Sequence, residues 1–453
     1  MLEAATRELA QTSTIAPVVA LPTPPRIGGV PLLGALPEML REHHGALDRW
    51  FRDGGDFFEV LLGGVKVKCI ARGRLAAEAM IANRSKFVRS PIFNEGVKIL
   101  VGNSVLTRDG QEWVERRRAL QPQFQARVMR EMVGRIGATL DEVLDSLEPG
   151  RVDVSVLCDQ LTMAVGLQVM FGHELARETF EELSELAPIV IQRVGVCWIT
   201  SKLPKWLPLP GEARFRRALA RLDEIVLGMV EARRSAGDFG DDLLGTLLHM
   251  TDEGVLDDRG VRDEAVTMLL AGYETTSNTL GWTLHTLAEH PEACAKIRDE
   301  ANAVLADGRG DVRKLEYSLR AFKEGLRLHP AALFVMRQAV EDAQVGVYTV
   351  AEGETILIST HLVHRNPKDW EDPDRFDPDR FLETPADHAF IPFGVGHQMC
   401  IGKHLALIEG QLVLAKLLQR FALIPVTDHT PQKRVSTTLG NADGIYVELT
   451  PVD

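Results

Sequence analysis

Phe393-Gly394-Val395-Gly396-His397-Gln398-Met399-Cys400-Ile401-Gly402 decides how this chain is read. One cysteine sits among glycines, and an apolar, helix-periodic run from Lys403 to Arg420 begins directly behind it. Glycine permits positive φ and lets the backbone approach a flat ligand closely. The N-terminus of the following helix presents free N–H groups and the positive end of a dipole, which favour a thiolate over a thiol. A thiolate held this way is a candidate axial ligand of haem iron, where it donates electron density and favours O–O cleavage. Taken alone, the loop is more readily an ordinary turn before a buried cysteine, so the rest of the sequence has to decide.

The chain has 453 residues, enough to enclose a large cofactor. Hydrophobic residues make up 45% and charged residues 25%, an ordinary globular balance. A net charge of −13 counts against nucleic acid as a partner, because phosphate binding needs clustered Lys and Arg. The cysteines are Cys69, Cys158, Cys197, Cys294 and Cys400; they are odd in number, far apart and free of CxxC or Cys/His zinc spacing. That usage fits reduced thiols in a cytoplasmic protein. No unbroken apolar run reaches the roughly 18 residues of a membrane span, and no transmembrane helix is expected. The start, with Glu3 and Glu8, lacks the layout of a signal peptide. Pro22, Pro24 and Pro25 stiffen the end of a tail, 1–24, that leads into one body, 25–453.

Residues 57–70 alternate β-formers around Gly63-Gly64 and predict a hairpin. Helical periodicity runs through 114–147, 155–171, 174–194, 212–235, 263–289 and 291–306. Extended signals return at 345–350, 355–358 and 444–449. The expected fold class is mainly α with a small β region.

Four further motifs carry chemistry. Ala271-Gly272-Tyr273-Glu274-Thr275-Thr276 interrupts an apolar helix with polar groups whose unpaired burial costs about 1–3 kcal/mol each. Glu274 beside a hydroxyl can relay protons into a dry pocket, and Gly272 leaves room for a diatomic ligand. The alternative is a Gly–Thr kink with hydroxyls bonded back to carbonyls. Glu324 and Arg327, three apart on one apolar helix, can form a buried pair. The stretch from Trp370 to Phe381 is an ordered turn-rich loop, and its Arg380 can join that pair. Trp113 and Arg117 share one helical face that can meet carboxylates.

In the order WxxxR, GxET, ExxR, PxRF and FGxGxxxCxG, these stretches resemble the cytochrome P-450 family of haem-thiolate monooxygenases, from about residue 25 to the end. The combination is far more specific than any one motif. The resemblance implies a triangular prism, mostly α, with haem b between the long distal helix and the helix behind the cysteine loop. It implies Cys400 as the iron ligand, with Phe393, Gly394 and Gly402 around it, and Glu274 and Thr275 as the distal acid–alcohol pair that delivers protons. It implies Glu324, Arg327 and Arg380 as a structural triad, and Trp113, Arg117, Arg337 and His397 near the propionates. Gln398 departs from the family, which usually has Arg or His two residues before the cysteine; a neutral amide predicts weaker anchoring there. Gly325 is a second departure, to which no function is attached.

By position in the family, the substrate pocket draws on residues 88–106 with Phe93, on Ala271, on Ala331, Leu333 and Phe334, and on the 437–439 turn with Leu439. These are mainly apolar and point to a terpenoid, steroid, fatty acid or macrolide; Arg89, Lys98 and Arg108 could meet a carboxylate, but a surface role is favoured. With no fused reductase expected, electrons come from a separate ferredoxin or flavodoxin with its reductase. Arg116, Arg118, Lys403 and His404 form the candidate dock on an acidic, monomeric protein. A peroxide-using or rearranging enzyme and a gas-sensing haem binder are the rival readings; the Glu274-Thr275 pair favours the monooxygenase.

Overall fold

The computed structural model describes residues 22–452 apart from 173–176, 201–210, 238, 307–310, 387 and 436–437; the tail up to residue 21 and Thr437 lie outside the described residues. The helix Asp258–Ala288, 31 residues long, is the axis of the molecule. It is buried on most of its circumference, as a helix apolar all round must be. Asp257 starts it by accepting the Gly260 N–H at 2.7 Å.

The helix Val154–Phe171 runs antiparallel along it: Ser155 lies opposite Gly281, Asp159 bonds Ser277, and Met170 reaches Gly272. By length and composition Val154–Phe171 is the one helix among the described residues apolar enough to cross a membrane, but 67% of it is buried in the fold. It is the expected 155–171 helix, started by Asp153, whose carboxylate accepts the Ser155 N–H at 3.0 Å.

The far side of the axis is covered by Glu316–Leu328 and, behind it, Lys403–Arg420. Two glycines set these spacings. A Cβ on Gly325 would lie 2.0 Å from Thr283 Oγ1, and one on Gly410 would lie 2.3 Å from the Phe322 ring. Gly325 therefore has a packing reason: it lets Glu316–Leu328 press onto the axis.

The main sheet has five strands in the order Phe57–Leu62, Val65–Ile70, Thr355–Ser359, Phe334–Ala339 and Phe87–Arg89. Only the pairing of Val65–Ile70 with Thr355–Ser359 is parallel. The hairpin at 57–70 forms as expected, with Gly63 and Gly64 at φ 57° and 85°. At the opposite edge the register sets Arg89 directly against Arg337.

Three expectations change. The run 114–147 is not one helix but Gly110–Leu120, Ala126–Glu131 and Val133–Asp145. Pro122 lacks the N–H that would continue the first of them. The stretch 345–350 is a hairpin of Ala343–Val345 and Tyr348–Val350, turning at Gly346 with φ 59°. The helix Leu243–Asp252 was not foreseen; Asp242 starts it by accepting the Gly245 N–H at 2.9 Å, and most of its residues are buried.

The packing of Gly325 predicts that Gly325→Ala destabilises the protein by about 1–3 kcal/mol in chemical denaturation, by overpacking. Thr283→Ala in the same chain should recover part of the loss, because it removes the atoms at 2.0 and 2.9 Å and leaves only the Thr283 Cβ at 3.0 Å. A more stable single variant, as expected of an exposed helical glycine, would contradict the contact.

Candidate active site

The cysteine loop is a closed set of backbone bonds. Gly394 N–H donates to Ile391 O at 3.0 Å, Met399 N–H to Gly396 O at 3.2 Å, and Cys400 N–H to Phe393 O at 2.8 Å. Gly394 and Gly396 take φ of 76° and 83°, and a Cβ on Gly396 would sit 2.4 Å from Met80 O. Gly402 opens the helix Lys403–Arg420 beside the Cys400 sulfur, which lies 4.0 Å from where a Cβ on Gly402 would sit. Burial nevertheless dominates and lifts the thiol above its ordinary pKa; the Gly402 N–H, Arg117 and Lys403 only partly offset it. The helix terminus alone therefore does not make the thiolate, and a metal bound to the sulfur would deprotonate it outright. Cys400 keeps an accessible side chain despite this burial, so it opens onto an interior surface; Cys69, Cys158 and Cys294 are buried and inert, the Cys294 thiol pushed up to about 12.

Beside the loop lies an unbalanced group of charges. Asp109 accepts the Arg89 backbone N–H at 3.0 Å, an Arg89 Nη at 2.8 Å and the Gln398 amide at 2.8 Å. Arg89, read from sequence as a surface residue, is instead buried in this pair and also donates to Arg108 O and Val105 O. Among the described residues, Arg337, across the strand pair, donates to Met336 O alone, at 2.9 Å, and its enclosed Nε has no partner. Burial and Arg89 push Arg337 down to about 10, with Asp109 the one acid pulling it back. Among the described residues, the hydrogen-bond partner of Arg117 is Gln121 Oε1, at 3.4 Å. Trp113 meets the His397 ring edge-on at 5.4 Å. Burial and the surrounding arginines lower the His397 pKa, leaving it neutral at pH 7. Arg89 thus takes Asp109, and Arg337 and Arg117 have no ion-pair partner among the described residues. An under-paired cation next to the accessible cysteine is what a ligand carrying carboxylates requires, so the residues present fit haem. Gln398 gives its amide to Asp109, while its Oε1 stays unpartnered.

Behind the loop the triad assembles. Glu324 and Arg327, both fully buried, form two bonds of 2.7 Å. Arg380 Nε lies 3.3 Å from Glu324, while its Nη atoms hold Glu371 O and Asp372 O. Arg327 also holds His364 O at 3.0 Å, Pro373 O at 2.6 Å and Arg375 O at 3.1 Å. His364 extends the set: its Nδ1 meets Arg327 O at 3.2 Å and its Nε2 accepts the Ile391 N–H at 2.9 Å. These partners assign the proton to Nδ1. Burial and Arg327 keep the ring neutral, as an acceptor must be.

On the axial helix, Ala271 is exposed although the ten residues before it are all buried apart from Arg262, which is half-buried. Thr275 donates to Ala271 O at 2.9 Å. Gly272 does not face a ligand: a Cβ there would meet Met170 Cε at 2.5 Å, so this glycine seats the neighbouring helix. Glu274 is raised to about 7, first by burial, then by Asp159, against a bond from Thr438 and the charge of Arg434. Asp159 itself is raised to about 6 by burial while it holds Ser277. Sequence reading missed Asp109, Asp159 and Thr438. Asp109 carried the one available signal, an Asp at a helix start; its side chain does not cap, being committed to Arg89 and Gln398.

Among the pocket candidates, Ala271 is exposed, Phe93 and Phe334 are half-buried, and Ala331, Leu333 and Leu439 are buried. Leu439 N–H donates to Ala331 O at 2.8 Å, joining two of these stretches. Arg116 is not a free surface cation: it is half-buried, 2.8 Å from the buried Glu264. Of two surface clefts, one is lined by Asn103, Arg116 and Asp257 and the other by Asp56 and Tyr348; neither includes a pocket candidate, the cysteine loop or Glu274.

The family profile described as Cytochrome P450 matches residues 22–447. Cyclooctat-9-en-7-ol 5-monooxygenase of Streptomyces melanosporofaciens is 34% identical over 89% of this chain and 90% of its own length. Cyclooctatin synthase of the same organism is 32% identical over 91% and 93%. Carotene epsilon-monooxygenase of Arabidopsis thaliana is 27% identical over 89% and 81%. The chain belongs to the cytochrome P-450 family and is a monooxygenase of that family.

Arg337 separates binding from folding. In Arg337→Met, the haem-free chain should melt no lower than the parent, because an enclosed cation that Arg89 repels and no carboxylate bonds is removed. Haem transfer to an acceptor protein should become faster. A lower melting temperature with unchanged transfer would make Arg337 a structural residue only.

Proposed function

We propose that the protein, as one catalytic domain over 25–453, holds haem b through Cys400 and inserts one oxygen atom of dioxygen into a C–H or C=C bond of a terpenoid. The observation that carries this reading is the accessible Cys400, set in its glycine loop beside under-paired arginines and backed by the buried triad. Thiolate-ligated haem supplies dioxygen activation when bound. Cys400 is the ligand, Phe393, Gly394 and Gly402 shape its loop, and Arg337, Arg117, Trp113 and His397 hold the carboxylate side. Gln398 acts there through Asp109.

Glu274 is the proton donor. Its pKa of about 7 suits a group that must release and regain a proton near neutrality. Thr275 is the adjacent alcohol; its proton rests on Ala271 O, leaving its lone pairs to accept. Phe93, Ala271, Ala331, Leu333, Phe334 and Leu439 form the apolar wall. The terpenoid class is supported by that wall and by the relatives named for cyclooctatenol and carotene chemistry.

Electrons come from a separate ferredoxin- or flavodoxin-type protein. Lys323, Lys403 and Arg320 lie close enough to lower the Lys323 pKa further once burial has acted, and Arg118, Arg130 and His404 are exposed. On an acidic chain this basic patch suits an acidic donor. A monomer in the cytoplasm completes the reading.

Thr275→Ala tests the proton route. With a cyclic diterpene alcohol that shifts the haem spectrum, the variant should keep haem and consume reductant, with most electrons leaving as peroxide. Product formation as tightly coupled as in the parent would contradict the role of the alcohol.

A further inference from the structure

We propose that Arg262 is the positioning residue of the substrate wall: it pins the end of the helix that carries Phe93 to the axial helix, so the pocket is shaped for a rigid, ring-built terpenoid before substrate enters. The proposal rests on the reading of Phe93 and Ala271 as wall residues. The helix Pro91–Val101 carries Phe93 and packs on Asp258–Ala288. Arg262 Nη1 donates to Leu100 O at 2.9 Å and to Asp263 Oδ1 at 3.0 Å. Its Nε donates to Asp223 Oδ1 at 2.8 Å, and its Nη2 bonds the same oxygen, which brings in the helix Glu212–Ala236. One planar fork thus ties three helices, a geometry that the single ammonium of a lysine does not reproduce. Leu100 stands seven residues after Phe93, two turns on along one face of the wall helix.

The next two residues of the axial helix continue the clamp. Asp263 Oδ2 accepts the Asn103 N–H at 2.7 Å, and Glu264 Oε1 accepts the Val105 N–H at 2.8 Å. Arg116 Nη1 joins Glu264 Oε1 to Asn103 O, at 2.8 Å from each. Gly102 permits this approach: its φ is 54°, and a Cβ there would lie 2.0 Å from Asp263 Oδ2. Asp263 and Glu264 are buried. Burying charge is costly, and a connection that only had to cross the surface would not require it.

The other end of the wall helix is held in the same manner. Arg89, just before it, bonds Asp109 at 2.8 Å and also takes Arg108 O at 2.6 Å and Val105 O at 3.2 Å. An arginine–aspartate pair therefore stands at each end, and Val105 is held by its N–H from one and by its carbonyl from the other. Ala271 lies nine residues beyond Arg262, about 14 Å along the axial helix. Pinning both ends fixes the spacing between Phe93 and Ala271. A pocket ordered in advance favours a ligand that is itself rigid, because neither has to be ordered on binding.

Two variants of the full-length haem protein open the clamp by different means. Arg262→Lys keeps the buried charge and removes the fork; Gly102→Ala drives a Cβ into the Asp263 carboxylate. Hydrogen exchange over residues 99–106 reads the clamp, and spectral titration with two diterpene alcohols, one a fused tricycle and one acyclic, reads the pocket. The parent should bind the tricycle more tightly. In each variant that folds, exchange should quicken, and the ratio of the two dissociation constants should move about tenfold toward the acyclic probe, the size of one lost charged hydrogen bond. Equal binding of both probes by the parent, exchange as slow as the parent's, or faster exchange with an unchanged ratio overturns the proposal. Phe93→Ala separates the two readings. If it alters neither affinity, the wall itself is misplaced. If it alters them while the clamp variants keep the parent's ratio, only the role of Arg262 falls.

Discussion

The buried Glu324–Arg327 pair is the constraint on which the rest of the site depends. Neither group can stay charged in the interior without the other, and breaking such a pair from one side costs about 3–5 kcal/mol. The pair does more than neutralise itself. Arg327 holds three carbonyls of the chain between His364 and Arg375, and Glu324 accepts the Asp377 N–H at 2.9 Å. Through Arg327 O and His364 the set reaches Ile391, whose own carbonyl starts the cysteine loop. A continuous line of hydrogen bonds thus runs from a helix core to the residues that place Cys400. Glycines at 325 and 410 let the supporting helices close behind it.

Electrostatics divides the two sides of the site. Beside the cysteine, Arg89 holds Asp109 while Arg337 and Arg117 have no ion-pair partner among the described residues, so that side accepts anionic groups. On the axial helix the buried acids dominate, and burial pushes Glu274 and Asp159 up to about 7 and about 6. One side is built to hold fixed negative charge and the other to keep protons within reach at neutral pH. The same low-dielectric interior produces both effects: a cation is under-paired where an anion belongs, and an acid is kept protonated where a proton is needed.

Much of this was legible in the residues. The helix Lys403–Arg420 and the hairpin at 57–70 have the bounds their periodicity and glycines imply, because apolar pattern and turn chemistry agree there. The triad was visible because Glu and Arg three apart on an apolar helix leave few other solutions. The misreadings have a common cause. Gly272, Arg89 and Arg116 have their partners 102, 20 and 148 residues away, in Met170, Asp109 and Glu264. Spacing along the chain carries no information about such contacts. For Gly272 the local reading supplied a ligand where the structure supplies a helix; for Arg89 and Arg116 it supplied solvent where the structure supplies a buried carboxylate or a half-buried pair. Asp109 and Thr438 were silent for the same reason, since Asp and Thr near turns have ordinary local explanations.

The central claim is that Cys400 binds haem iron as a thiolate. The ferrous carbon monoxide difference spectrum of the purified protein tests it most directly. The account predicts a strongly red-shifted Soret band that is lost in Cys400→Ala. A band at the ordinary histidine-haem position in the parent, or no haem at all, would contradict it.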